Sequence, residues 1–255
     1  MSTLVRTETL VEMIERTLGR QGNKIALKIP KHDGSGYDQI SFADLKRKSD
    51  QFAATLKKRG LQKGEKFAII GKPRTDWAVA FLGILKAGGV AMPLDASWQA
   101  VEVQRVLHTM DAVGAVVADA PHYEMVKDQK QLQHLVTMDR LPGVPTVSDW
   151  LSSERFESAP ADPDEVTVML CTSGTTGNSK GVMLSHTNIV SNAQSALSRL
   201  DFTAQDIVLA IPPWYHVFGL IVLVCSLYAG AQLIYTDDYK NLPKYMVENR
   251  VSILV

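Results

Sequence analysis

Ten consecutive residues, Thr172-Ser173-Gly174-Thr175-Thr176-Gly177-Asn178-Ser179-Lys180-Gly181, bring together hydroxyl side chains, three glycines and one lysine. That mixture suits a polyphosphate. Glycine lets successive backbone N–H groups turn toward an anion, hydroxyls add donors, and an ammonium supplies the compensating charge. A flexible Ser/Thr/Gly linker would share the composition but have solvated flanks. Here Val166-Thr167-Val168-Met169-Leu170 leads in and Val182-Met183-Leu184 leads out, so buried structure holds both ends of the loop. The spacing is not that of a Walker A element, where Gly-Lys is followed by Ser/Thr and then by a helix. Lys180 follows Ser179 and precedes Gly181, and the apolar run behind it has the length of a strand. The expected device is a strand–loop–strand grip, with a helix beginning near Thr187 or Asn188.

His216 is a second candidate, set among Trp214, Tyr215 and Phe218 just beyond a strand expected over Ile207 to Ile211. Open α/β sheets commonly place ligands at such strand ends. One histidine near aromatic rings also fits a hydrogen-bonded core residue, and the residues alone leave both readings open. Trp214 and Phe218 read as pocket walls or core. His186 and Asn188 read as organisers of the turn into the helix after the loop.

The elements that must position these residues follow from periodicity and caps. Leu10 to Leu18 reads as a helix, and Lys24 to Pro30 with Tyr37 to Ser41 as a hairpin. Ser41 caps a helix that Gly60 ends. Strands then alternate with helices: Phe67 to Ile70, Asp76 to Lys86, Val90 to Leu94, Ser97 to Met110, Gly114 to Val117 and Leu135 to Met138. Short, nearly continuous apolar strands between helices argue mostly parallel sheets covered on both faces. Between Leu141 and Pro163 the composition turns to Pro, Ser, Asp and Glu, with a helical turn at Asp149-Trp150-Leu151. That stretch divides the chain into a first α/β subdomain, residues 1–160, and a second, 161–255, carrying the loop. Beyond the loop come helices over Thr187 to Arg199, Val217 to Ala229 and Leu242 to Arg250, a strand over Gln232 to Thr236, and an apolar terminal strand from Val251.

Composition excludes several classes. Lys plus Arg and Asp plus Glu number 27 each, so no net field recruits nucleic acid or an acidic membrane. Two cysteines, Cys171 and Cys225, make no disulfide framework and fit a reducing cytoplasm. Six histidines lack ligand spacing, so no metal site is expected. Asp206 to Asp237 encloses no charged residue, but Pro212, Pro213, His216, Gly230 and Gln232 interrupt it, which favours a buried strand–helix–strand over a membrane span.

The stretch from Val168 to Asn192, including Ser185-His186-Thr187-Asn188, resembles the signature loop of the AMP-forming, adenylate-forming synthetases, a family of acyl-CoA synthetases, aryl-CoA ligases, luciferases and peptide-synthetase adenylation domains. Ser179 departs from it, since the family usually has proline before the lysine. Pro212-Pro213-Trp214-Tyr215-His216-Val217-Phe218-Gly219-Leu220 resembles a second family segment, and Asp76-Trp77-Ala78 to Leu94 a weaker third. The resemblance implies the N-terminal part of that family's large domain: mixed, mostly parallel sheets flanked by helices.

It also implies a two-step reaction with ATP, Mg2+ and coenzyme A. A carboxylate attacks the α-phosphate and expels pyrophosphate; a thiol then displaces AMP from the acyl-adenylate. By resemblance Thr172, Ser173, Gly174, Thr175, Thr176, Gly177 and Lys180 bind the β- and γ-phosphates, Lys180 stabilises the leaving pyrophosphate, and His216 lies near the acid's carboxylate. The segment Ile211 to Leu220 holds no aspartate that could meet a substrate ammonium. Such an uncharged, aromatic segment suits an apolar acid. Because Arg74-Thr75-Asp76-Trp77-Ala78 most resembles fatty acyl-CoA synthetases, the resemblance implies a medium- or long-chain fatty acid first, an aryl acid second and an amino acid third. The family's adenine- and ribose-binding segments, acidic magnesium ligand, hinge and C-terminal lysine have no counterpart here. The chain is thus expected to be the front portion of a synthetase, inactive by itself, with the missing C-terminal part as its partner. The alternative is a non-catalytic module that binds nucleotide or pyrophosphate or offers an interaction surface.

Overall fold

A computed structural model describes residues 8–31, 33–154, 156–158, 161–172 and 180–255. In chain order the helices are α1 (Leu10–Gln21), α2 (Phe42–Lys58), α3 (Thr75–Lys86), α4 (Ala100–Thr109), α5 (Ala120–Val126), α6 (His186–Leu197), α7 (Val217–Ala229) and α8 (Leu242–Asn249). The strands are β1 (Ile25–Pro30), β2 (Tyr37–Ser41), β3 (Lys66–Ile70), β4 (Val90–Leu94), β5 (Ala112–Val117) and β6 (His134–Thr137), then β7 (Val166–Thr172), β8 (Lys180–Ser185), β9 (Ile207–Ala210), β10 (Gln232–Tyr235) and β11 (Ile253–Leu254).

These strands form two sheets. The first runs β11-β9-β10-β1-β2 and the second β6-β5-β3-β4-β7-β8. Each is parallel except for one antiparallel hairpin at an edge, β1–β2 in the first and β7–β8 in the second. The first sheet draws on residues 25–41 and 207–254, the second on 66–137 and 166–185, so residue 160 divides neither sheet. Composition marks the loop near 160, but strand pairing reaches across it.

The core lies between the sheets. Leu27, Val208 and Leu233 of the first sheet share one apolar cluster with Phe67, Ala91 and Val168 of the second. The helices sandwiched there show it in their sequences. Every residue of α3 except Asp76 is buried, and α7 is apolar almost throughout and largely buried beyond Phe218, as expected of helices packed on all sides. On the outer faces, Val103, Val106 and Leu107 of α4 pack on β3, β4 and β5, while Tyr245 of α8 packs on Leu209 and Ile234.

Two elements depart from expectation. Helix α5 was not anticipated, although Asp119 caps it by accepting from the His122 N–H at 3.1 Å and proline occupies its first turn. The terminal apolar run yields a short edge strand with Leu254 half exposed, and Ser252 and Val255 extend its backbone hydrogen bonds along β9.

Candidate functional site

Parallel strands in one sheet place all their carboxyl ends on one edge, and the candidate residues collect there. Thr172 closes β7 and pairs with Lys180, the first residue of β8, so the hairpin holds both mouths of the hydroxyl-rich loop in register. Lys180 is exposed and forms no ion pair among the described residues. Ser173, Gly174, Thr175, Thr176 and Gly177 lie outside the described residues, so the predicted phosphate contacts are placed only by their two anchors.

Downstream of the loop, Ser185 and Asn188 cap α6 reciprocally. The Ser185 hydroxyl accepts from the Asn188 N–H at 3.2 Å, and the Asn188 carbonyl accepts from the Ser185 N–H at 3.0 Å. Asn188 thus organises the turn as predicted. His186 has another role: its Nδ1 accepts from the Leu10 N–H at 3.2 Å and ties α6 to α1. Burial holds its imidazole below the usual histidine range.

His216 stands at the amino end of α7, exposed, as do Val217 and Phe218 after it. The turn that presents them is fixed from below. Trp214 is 1% exposed and packs edge-on to Trp77 at 5.2 Å and beside Tyr235 at 5.8 Å, so it is core and not a wall. Gly219 lets the first turn of α7 close on the preceding prolines; a Cβ there would sit 2.2 Å from the Pro213 carbonyl oxygen.

The two sheets meet at this edge through residues the motif reading passed over. Lys72, beyond β3, pairs with Asp237, beyond β10, at 2.6 Å. Tyr215, whose ring lies 4.9 Å from that of His216, faces Asp95, the residue after β4. Burial and the Asp95 carboxylate push the Tyr215 hydroxyl up to about 12, so it remains a protonated donor at neutral pH. Asp95 also accepts from the Ser97 N–H at 2.8 Å and hydroxyl at 2.7 Å. Because β4 pairs with β7, the Asp95 loop lies one strand from Thr172. The His216 turn is therefore anchored on the strand beside the phosphate-loop hairpin. The only sequence signal for Asp95 was its place directly after a buried strand.

Neither thiol is poised for chemistry. Burial pushes both Cys171 and Cys225 up to about 11, and both are free. Among the described residues no group of three His, Cys, Asp or Glu side chains could hold a metal ion. Among the same residues no helix is long and apolar enough to cross a membrane.

Known proteins match most of this chain. A methyl-dioxo-octahydro-indenyl-propanoyl:CoA ligase of Rhodococcus jostii (strain RHA1) is 32% identical over 242 residues, covering 85% of this chain and 47% of that protein. The long-chain-fatty-acid–CoA ligase FadD13 of Mycobacterium tuberculosis is 28% identical, over 84% of this chain and 44% of its own. The chain thus spans about half the length of the curated relatives it matches. In fold it resembles the inhibitor-bound N-terminal domain of FACL13 from M. tuberculosis, with a TM-score of 0.85 at 23% identity over 97% of this chain and 62% of that one. ATP-bound MatB from Rhodopseudomonas palustris superposes with a TM-score of 0.81 at 26% identity, covering 97% of this chain and 49% of its own. The sequence profile of one family matches residues 14–255, nearly the whole chain, and the protein belongs to that family, the AMP-binding enzymes.

Proposed function

We propose that this chain is the ATP-binding front of an AMP-forming acyl-CoA synthetase whose acid substrate is apolar, in the first place fatty. One observation carries the reading: β7 and β8 hold Thr172 and Lys180 in register at the carboxyl edge of the second sheet, one strand from the Asp95 loop that meets the His216 turn. Nucleotidyl transfer needs positioning and charge neutralisation more than covalent help from the protein. Thr172, Ser173, Thr175, Thr176 and Lys180, with the backbone of Gly174 and Gly177, would hold the β- and γ-phosphates. Lys180, exposed and without an ion pair among the described residues, would take charge from the departing pyrophosphate. Magnesium would enter with the nucleotide.

On the acid side, exposed Val217 and Phe218 beside His216 favour an apolar tail or ring. No carboxylate between Ile211 and Leu220 offers an ammonium a partner. The Asp95 carboxylate that faces this turn is taken up by Tyr215 and by the Ser97 N–H and hydroxyl, so an ammonium buried there would lack a free partner at a cost of several kcal/mol. For the 255 residues taken alone, the span of about half of the curated relatives favours a second reading, polyphosphate binding without turnover.

The test is AMP release from ATP across fatty, aryl and amino acids, with and without coenzyme A, on the 255-residue chain and on the longest polypeptide its gene encodes. A fatty acid with coenzyme A should give the highest rate in the longer polypeptide. Lys180→Ala should lower that rate roughly a hundredfold, and His216→Ala should lower turnover more than ATP affinity. Preference for a free amino acid, or no stimulation by coenzyme A with any acid, overturns the proposal.

A further inference from the structure

A cavity of about 680 Å3 lies at the opposite end of the second sheet from Thr172 and Lys180. The amino-terminal ends of β3, β4 and β7 wall it, with the last turn of α3, the start of α1, Met183 and His186. Much of the wall is aliphatic: Val11, Leu85, Val90, Val166, Met169 and Met183.

The polar groups on this wall sort into spent and unspent, and the acids are all spent. Glu12 is held by the Thr9 cap, and Glu165 pairs with Lys63 at 2.7 Å. Lys86 is taken by Asp50 and Glu15. The unspent groups are donors. Thr167 is 1% exposed and its hydroxyl, fully buried, has no hydrogen-bond partner, a costly state unless something in the cavity meets it. His186 accepts at Nδ1 from Leu10, so its neutral ring carries the proton on Nε2, and that N–H has no acceptor among the described residues. Lys66, half-buried, and Lys57, exposed, face no carboxylate among the described residues; Lys57 donates only to the Leu61 carbonyl, at 3.2 Å.

An apolar chamber whose unspent nitrogens can only donate, beside a hydroxyl that can also donate, calls for a ligand with an apolar body and one accepting, anionic head. We propose that this cavity binds an apolar monocarboxylate, its head toward Thr167, His186 and Lys66 and its tail along Met169 and Met183. Thr167 and Thr172 are separated by five steps of β7, roughly 16 Å of strand. A carboxylate held at Thr167 is therefore out of reach of the phosphate-loop hairpin, and this is a second site, independent of the reaction proposed above.

The experiment uses the 255-residue chain with methyl-labelled methionine, titrated by NMR with sodium decanoate and, separately, with decylamine, which keeps the tail and reverses the head charge. Met169→Leu and Met183→Leu identify the two signals. Decanoate should shift both methyls saturably and decylamine should not. Thr167→Val and Lys66→Met should each weaken decanoate about tenfold, on the order of one hydrogen bond to a charged group. His216→Ala should leave this binding unchanged, so failure of the acyl-CoA synthetase reading and failure of this one remain separate results. The proposal falls if decanoate gives no saturable shift at these methionines, if decylamine binds equally well, or if either variant retains full affinity.

Discussion

His186 carries its proton on Nε2 because Nδ1 accepts from the backbone of α1, and that choice has a consequence in acid. Burial keeps the folded imidazole below the ordinary histidine range. As pH falls through about 6.5, the unfolded chain takes up this proton and the folded chain does not, so stability drops with pH in that window. His186→Asn keeps an acceptor where Nδ1 stood but cannot titrate. The variant should lose less stability than the parent between pH 7 and pH 5, as read by thermal unfolding; parallel losses would refute this. At this scale the suitability of the Thr172–Gly181 loop for a polyphosphate was legible from residue type and spacing, whereas the residues alone left His216 open between site and core. The role of His186 was not, because its partner lies 176 positions away and no local pattern points to it. The facing of Tyr215 and Asp95 was hidden for the same reason: a carboxylate after a strand is commonplace until the second sheet is in place.

At the level of elements, helices α1, α2 and α3 are joined by charge as well as by packing. Lys86, at the end of α3 and 2% exposed, lies 2.7 Å from Asp50 of α2 and 2.8 Å from the Ser49 hydroxyl, and also pairs with Glu15 of α1. Lys46 approaches the same two carboxylates at 2.6 and 2.9 Å. Removing one member of such a network strands the others in a poorly solvated place, which typically costs about 3 kcal/mol. Lys86→Met should destabilise the chain by about that amount in urea unfolding, and adding Glu15→Gln with Asp50→Asn should recover part of it. A loss below about 1 kcal/mol would place the network among ordinary surface pairs. The periodicity of α1, α2, α3 and α7 was plain in the sequence because each carries a long apolar pattern. Helix α5, with Val126 as its one buried residue, has too little apolar pattern to announce itself, and only the Asp119 cap with its proline betrays it.

Over the whole molecule, the sequence pattern disclosed mixed, mostly parallel sheets but not which strands share one. Apolar alternation says that a strand is buried on both faces; it does not name its neighbours. Hence the composition shift near residue 160 read as a subdomain boundary, while the first sheet joins the hairpin of residues 25–41 to strands beyond residue 207. That interleaving brings the Lys72–Asp237 pair and the Tyr215–Asp95 meeting to one edge, beside the strand that pairs with β7.

The same interleaving sets a timetable for synthesis. The β1–β2 hairpin leaves the ribosome early, yet Leu27 pairs with Leu233 and Lys28 with Ile234. At ordinary translation rates the hairpin waits roughly 10–40 s for that neighbour. Strands β3, β4 and β5, contiguous in the chain, can associate meanwhile. Ribosome-bound chains arrested near residue 200 should therefore be cut by protease around residues 25–41 while residues 66–117 resist, and release of the complete chain should close the first region. Equal protection of both regions at that length would mean the early hairpin finds shelter elsewhere until its late-arriving partner emerges.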